Sequence, residues 1–262
     1  MPERVDTPAI VIQRFAYGET SQVVHLLTEA LGRVVVLAKG AYRAKSGFDG
    51  PPDLLERGDA SLSLVKGREL GLLTRRRVAT CHPALRRDLR RFAAATHLLA
   101  QVVHFEPVGG VVGAGGSECF RLLERALAAL ESVVPARIAL LTLSFDVKLA
   151  RLHGLAPEVG QCVRCGSPRA LARFVPSDGG VACASCLTRA DEGERIDAAT
   201  AALLSELRER TFAELADPPP QILARARRLI DLHLQWHADA TRPRPIRPRI
   251  ARPAAARTPR RA

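Results

Sequence analysis

Four cysteines fall into two pairs with the same internal spacing: Cys162-Val-Arg-Cys165, then seventeen residues, then Cys183-Ala-Ser-Cys186. Two intervening residues let a tight turn aim both sulfurs at one cation. Two such turns complete a tetrahedron at about 2.3 Å from a metal. Gly166 supplies the left-handed freedom that the first turn needs. The chemistry expected is one structural zinc per chain, because four thiolates leave no coordination position for water. Two redox pairs or a disulfide pair would use the same residues, but a redox C-x-x-C normally follows a β–α–β pattern, which is missing here. Six cysteines in 262 residues are too sparse for a disulfide scaffold. Cys81 and Cys119 are left over, and Cys119, on an apolar helix face, reads as a buried thiol.

Other chemistry is missing. There is no G-x-x-x-x-G-K-[ST], and Gly109–Gly116 reads as an interhelical loop rather than a phosphate loop. There is no G-x-S-x-G nucleophile elbow. His233 and His237 are four apart, but Leu234 stands where a zinc protease carries its Glu, so they read as packing or surface residues. A deaminase needs H-x-E together with P-C-x-x-C, and neither C-x-x-C here follows a proline. No carboxylate–histidine cluster reads as an acid–base pair, so the expectation is a protein that is not an enzyme.

Binding chemistry is present. Arg33, Lys39, Arg43 and Lys45 lie close in sequence to Tyr17, Tyr42 and Phe48. Positive charge along a backbone, interleaved with rings that stack on bases, is the recipe for single-strand binding. Arg75, Arg76 and Arg77 are consecutive. Arg86, Arg87, Arg90 and Arg91 form like-charge i,i+4 pairs on one predicted helix, which either face an anion or form a solvated face beside Asp88. Residues 242–262 hold eight arginines, five prolines and no acid; without those eight charges, +4 of the net +12 remains. The tail is expected to be disordered when free, serving as a polyphosphate contact or as a solubilising segment.

The elements that must position these residues follow from periodicity. Five short β segments between residues 8 and 80, at regular spacing, suggest a small barrel, and one of this size fits an OB-fold. From residue 83 the period becomes helical: one helix from Pro83 past Val103, one over Cys119–Leu130, one from Pro135 to a stop at Gly154, one capped by Asp197, and a last over Ile222–His237. Residues 157–190 are short and turn-rich. The fold class expected is α+β multidomain, with domains at 1–80 (OB-fold), 81–156 with 191–240 (α-helical), 157–190 (zinc-binding) and 241–262 (Arg/Pro-rich tail). Apolar residues make up 47%, enough for a core, and no apolar run approaches the ~20 residues that cross a bilayer. The start, MPERVDTPAI, lacks the basic and apolar regions of a signal peptide, so a soluble cytoplasmic protein is expected.

Tyr17-Gly18-Glu19-Thr20-Ser21, Leu27-Thr28, Leu31-Gly32-Arg33, Ala38-Lys39-Gly40-Ala41, Lys45-Ser46 and Gly71-Leu72-Leu73-Thr74 resemble the N-terminal barrel of the bacterial RecO family. The cysteine pairs also sit where that family carries its zinc module, inserted in a helical domain. The resemblance implies a recombination mediator in DNA repair. Such a protein binds single- and double-stranded DNA, anneals complementary strands without ATP and helps RecA load onto coated DNA. It also implies partnership with RecR and with the C-terminal tail of single-strand-binding protein, at the nucleoid. On that basis Arg33, Lys39, Arg43 and Lys45 are the barrel's phosphate contacts, and Arg86, Arg87, Arg90 and Arg91 extend the path. The tail departs from the family pattern. The alternatives are an OB-fold and zinc-knuckle RNA-binding protein, and a scaffold that binds only proteins.

Overall fold

The computed structural model describes residues 2–43, 46–109 and 114–241. Lys45 and the tail from residue 242 lie outside the described residues. Five strands, β1 (Glu3–Tyr17), β2 (Ser21–Thr28), β3 (Gly32–Ala38), β4 (Arg57–Leu64) and β5 (Leu70–Thr80), close into a barrel of order β1-β2-β3-β5-β4. Only the β3–β5 pair is parallel. Alternation sends Val24, Leu26, Val34, Val36, Leu62 and Leu73 inward. In β1, Ala9–Ile12 breaks the alternation because both faces are covered. Ala9 and Val11 fill the barrel, whereas Ile10 and Ile12 join the core of the helices.

The helices are α1 (Pro83–Arg87), α2 (Leu89–Phe105), α3 (Ala114–Ser132), α4 (Ile138–Leu152), α5 (Ala198–Glu209) and α6 (Pro220–Thr241). The single helix expected from Pro83 is two helices. Asp88 takes an extended backbone and caps α2, its carboxylate accepting from the Arg90 and Arg91 N–H groups at 2.8 and 3.2 Å. A carboxylate is stabilised at a helix N-terminus, and here that preference overrides a continuous apolar period. The pairs 86/90 and 87/91 therefore do not share one helix, and the like-charge cost expected for them is not incurred.

Central α4 is buried along most of its length. It carries Asp146, which is closed off from water between His97 of α2 at 2.9 Å and Arg227 of α6 at 2.5 Å. Gly154 stops α4 with a φ of 71°, and the Leu155 N–H reaches back to the Ala150 carbonyl at 2.7 Å. Between α4 and α5 the chain forms a small sheet of β6 (Leu171–Val175), β7 (Gly180–Cys183) and β8 (Glu194–Arg195), in the order β7-β6-β8. Asp197 caps α5 as expected, accepting from the Thr200 N–H at 2.7 Å.

His233 of α6 docks this sheet. Its ring meets Phe174 of β6 edge-on, and its Nε2 lies 2.7 Å from the Leu155 carbonyl. Burial lowers its pKa to about 4, with His237 adding to the effect. A histidine neutral in the fold and protonated in the open chain contributes stability that is complete above about pH 6.5 and lost as pH falls toward 4. The melting temperature should fall across that window. His233→Gln, which cannot titrate, should flatten the slope in thermal melts between pH 4 and 7. His25, lowered to about 4 by its own burial and then by Arg33, should keep the slope from vanishing.

Candidate metal centre and nucleic-acid interface

The sulfurs of Cys162, Cys165, Cys183 and Cys186 all lie within 4.8 Å of one another. The Cys165 and Cys183 sulfurs are 3.8 Å apart, close to the edge of about 3.8 Å for a tetrahedron built on a 2.3 Å metal–sulfur bond. Each pair is a closed turn. The Gly166 N–H bonds the Cys162 carbonyl at 2.8 Å, and the Cys186 N–H bonds the Cys183 carbonyl at 3.1 Å. Gly166 has a φ of 73°, the left-handed conformation expected for it. The Cys183 N–H points at the Cys162 sulfur at 3.3 Å and is the main reason that thiol drops to about 6. The neighbouring sulfurs push the Cys186 thiol up to about 12. Four thiolates at this spacing repel one another, and a cation among them removes the repulsion. The residues fit a closed metal centre and could hold one ion.

Arg164, inside the first turn, holds the second. Its guanidinium donates to Asp178 at 2.7 Å, to both Asp191 oxygens at 2.5 and 2.9 Å, and to the Cys186 carbonyl at 2.6 Å. Asp191 is held well below the usual carboxylate range, first by Arg164 and then by the Thr188 N–H.

The basic residues separate into two groups. Arg33 lies in the joint between barrel and helices. It donates to the Val103 and Glu106 carbonyls at the end of α2, at 2.5 and 3.1 Å, and contacts His25 Nδ1 at 2.9 Å. Arg86 bonds the Cys81 and Leu54 carbonyls and Asp53. Arg91 bonds the Leu130 and Val133 carbonyls past the end of α3. Arg76 is buried against Glu56 and the Gly50 carbonyl. These guanidiniums are engaged by protein groups, Arg86 at the surface and the others within the fold. Lys39, Arg43, Arg75, Arg77, Arg87 and Arg90 are exposed.

Lys39 and Arg43 stand on the turn after β3. That turn is tied to the β1–β2 hairpin by the Tyr42 N–H on the Thr20 carbonyl at 3.0 Å. Tyr17 and Tyr42 are 57% and 46% exposed at this end, while Phe48 is partly buried against the barrel core. Sequence reading missed the surface beside them. Phe15, Val23, Leu37 and Leu72 are successive cross-strand partners over β1, β2, β3 and β5, forming an apolar row on the outside of the barrel. Phe15 is 53% exposed. The signal was the unbroken run Val34–Leu37, which places apolar residues on both faces of one strand.

The family model described as Recombination protein O N terminal matches residues 1–81, and the one described as Recombination protein O C terminal matches residues 86–244. The chain belongs to the RecO family. The DNA repair protein RecO of Anaeromyxobacter sp. (strain K) is 30% identical over 243 residues, covering 90% of this chain and 92% of the relative. That of Rubrobacter xylanophilus is 32% identical over 232 residues, covering 87% and 90%. That of Myxococcus xanthus is 30% identical over 240 residues, covering 90% and 93%. RecO membership places the chain in DNA repair and recombination, and its barrel is the OB-like N-terminal fold of the family.

The geometry of the RecO cysteine cluster makes a direct prediction. The first equivalent of a thiophilic divalent ion should protect four thiols together in the reduced chain, while exposed Cys81 stays reactive. A thiol-reagent assay in which protection is partial, or falls on Cys81, would contradict a single closed centre.

Proposed function

We propose that this chain is a non-enzymatic recombination mediator, working in the cytoplasm at the nucleoid. It binds single- and double-stranded DNA and anneals complementary strands without ATP. With RecR, and through the C-terminal tail of single-strand-binding protein, it helps RecA load onto coated single strands. One zinc ion at the four cysteines serves its fold. The observation that carries the reading is the uncovered barrel face, where Lys39 and Arg43 stand beside exposed Tyr17 and Tyr42 in a chain of the RecO family.

Annealing requires two polyanions to approach each other. Cations neutralise phosphates and release counterions, while rings hold bases without reading their sequence. Arg75 and Arg77 on β5, and Arg87 and Arg90 on the first two helices, give a path for a second strand. The tail's eight arginines, outside the described residues, add charge to the same end. Between α2, α4 and α6 lies a groove of about 580 Å³, lined in part by Arg90, Ile138, Thr142 and Arg227. Asp231 also lines it and pairs with Arg227, so exposed Arg90 beside apolar carbons is what it offers an acidic peptide tail with an apolar end.

The decisive assay mixes two complementary labelled oligonucleotides without ATP, bare and coated with single-strand-binding protein. Faster annealing of the coated strands is expected. Annealing of bare strands alone would reduce the protein to a basic DNA binder. No annealing with tighter RNA binding would turn the reading toward RNA.

Lys39→Ala and Arg43→Ala should each weaken DNA binding and lower the salt slope by about one. Deleting residues 242–262 should slow annealing and flatten its salt dependence. Arg33→Ala should leave the salt slope unchanged while orphaning buried carbonyls, at about 2 kcal/mol or roughly 4–8 °C of melting temperature. Binding titrations over a salt series, run beside thermal melts, distinguish these outcomes.

A further inference from the structure

Three residues far apart in sequence, Glu106, Cys119 and His153, meet where helices end beneath the β2–β3 turn. Glu106 follows α2, Cys119 lies early in α3 and His153 closes α4. A carboxylate oxygen, a sulfur and a ring nitrogen converge there, all within 4.8 Å of one another. The site lies inside the protein: Cys119 is 1% exposed and Glu106 is 7% exposed. Packing around it is close. A Cβ on Gly32 would sit 2.9 Å from Glu106 Oε1, and one on Gly116 would sit 2.9 Å from the Gly32 nitrogen.

The Cys119 thiol hydrogen-bonds the Glu106 carboxyl, but the network stops short of His153. His153 Nε2 is buried without a hydrogen-bond partner, and the facing Glu106 Oε2 is 3.5 Å away. The same pair of residue types closes to 2.9 Å between His97 and Asp146, where it forms a bond. A separation of 3.5 Å is instead that of two ligands on one tetrahedral ion, where donors at about 2.0–2.3 Å from the metal stand roughly 3.3–3.8 Å apart.

The geometry points to a second metal site, in which Glu106, Cys119 and His153 bind a divalent transition ion of the zinc class at the joint between barrel and helices. The donor set of one sulfur, one nitrogen and one oxygen selects a borderline ion over magnesium or calcium. Binding forms a sulfur–metal bond as the Cys119 S–H bond breaks, and the proton leaves to solvent. A thiolate, a carboxylate and a neutral imidazole then cancel the charge of the ion. Burial raises the Glu106 carboxyl and the Cys119 thiol and lowers the His153 imidazole. Arg33 stands nearby and opposes a cation, so this site fills after the four-cysteine centre. With three protein donors among the described residues, the fourth position is left for water or a small anion. A bound ion would tie the ends of α2, α3 and α4 together beneath the barrel.

The test is a cobalt titration of the reduced full-length chain, with optical spectra and metal counted after dialysis. Two ions per chain are expected, the first with a four-thiolate spectrum and the second with a weaker single-thiolate charge-transfer band. Cys119→Ser and His153→Gln should each abolish the second band, weaken the second equivalent at least tenfold, and leave the first spectrum intact, which also reports that the variant has folded. Cys81→Ser should keep both ions. Only one ion in the unaltered chain, or a second ion whose band survives in either folded variant, would overturn the site. Should one variant fail to fold, the other decides alone.

Discussion

Helices that end inside a protein leave their last carbonyls without partners, and this constraint organises the molecule. The end of α2 is met by Arg33 from the barrel, and that of α3 by Arg91 from α2. The end of α5 is met by Lys148 and Arg151 from α4, at 2.7 Å to the Arg210 carbonyl and 3.0 Å to that of Arg208. In each case the donor comes from a different element, so satisfying a carbonyl also fixes how two elements pack. A cation is favoured at that end because it opposes the helix dipole. Barrel and helices are joined by the same means: Arg33 crosses the joint, as do the ion pairs of Arg57 with Glu124 and Arg121 with Glu29.

This divides one residue type between two kinds of work. An arginine whose fork finds carbonyls becomes scaffold, and one that finds only water remains available to an anion. Arg86 and Arg87 are neighbours in sequence and both exposed, yet it is Arg86 that reaches the Leu54 and Cys81 carbonyls. Arg75, Arg76 and Arg77 divide by the two-residue period of β5, with only Arg76 turned inward. The strand period makes that second division readable in sequence. The first depends on a loop more than thirty residues away and has no local signature.

The same distinction explains what could be read in advance. The cysteine turns were legible because C-x2-C geometry is local, and Gly166 and Asp197 because caps and left-handed turns have residue preferences. The five barrel strands followed from alternation, the three short strands of the cysteine module did not, and Gly154 as a helix stop followed from position alone. The break at Asp88 carried a signal, a capping residue, which the apolar period masked. The closing of β1 on β4 and the parallel β3–β5 pair join distant segments, and only the assembled barrel displays them. Glu106, Cys119 and His153 each have an ordinary local reading. Their meeting is a product of three helix ends converging under one turn.

The small cysteine module shows why metal and packing must act together. Its own buried cluster is Cys162, Val175, Ala182 and Cys183, two of them from the four-cysteine cluster. A core this small cannot hold a fold by burial alone. Arg164 joins the two turns and His233 docks the sheet through Phe174, but neither removes the repulsion among four thiolates. An ion held by the four cysteines would remove it, in the arrangement that the arginine network fixes. The barrel needs no such help, because its core is closed on every side by paired strands. It can therefore leave Phe15, Tyr17 and Leu72 uncovered, on a face that no element of the described fold occupies. Rings and cations held on a barrel closed by its own strands would need little ordering to meet a flexible strand, so the entropic cost of the proposed association would fall mainly on the strand.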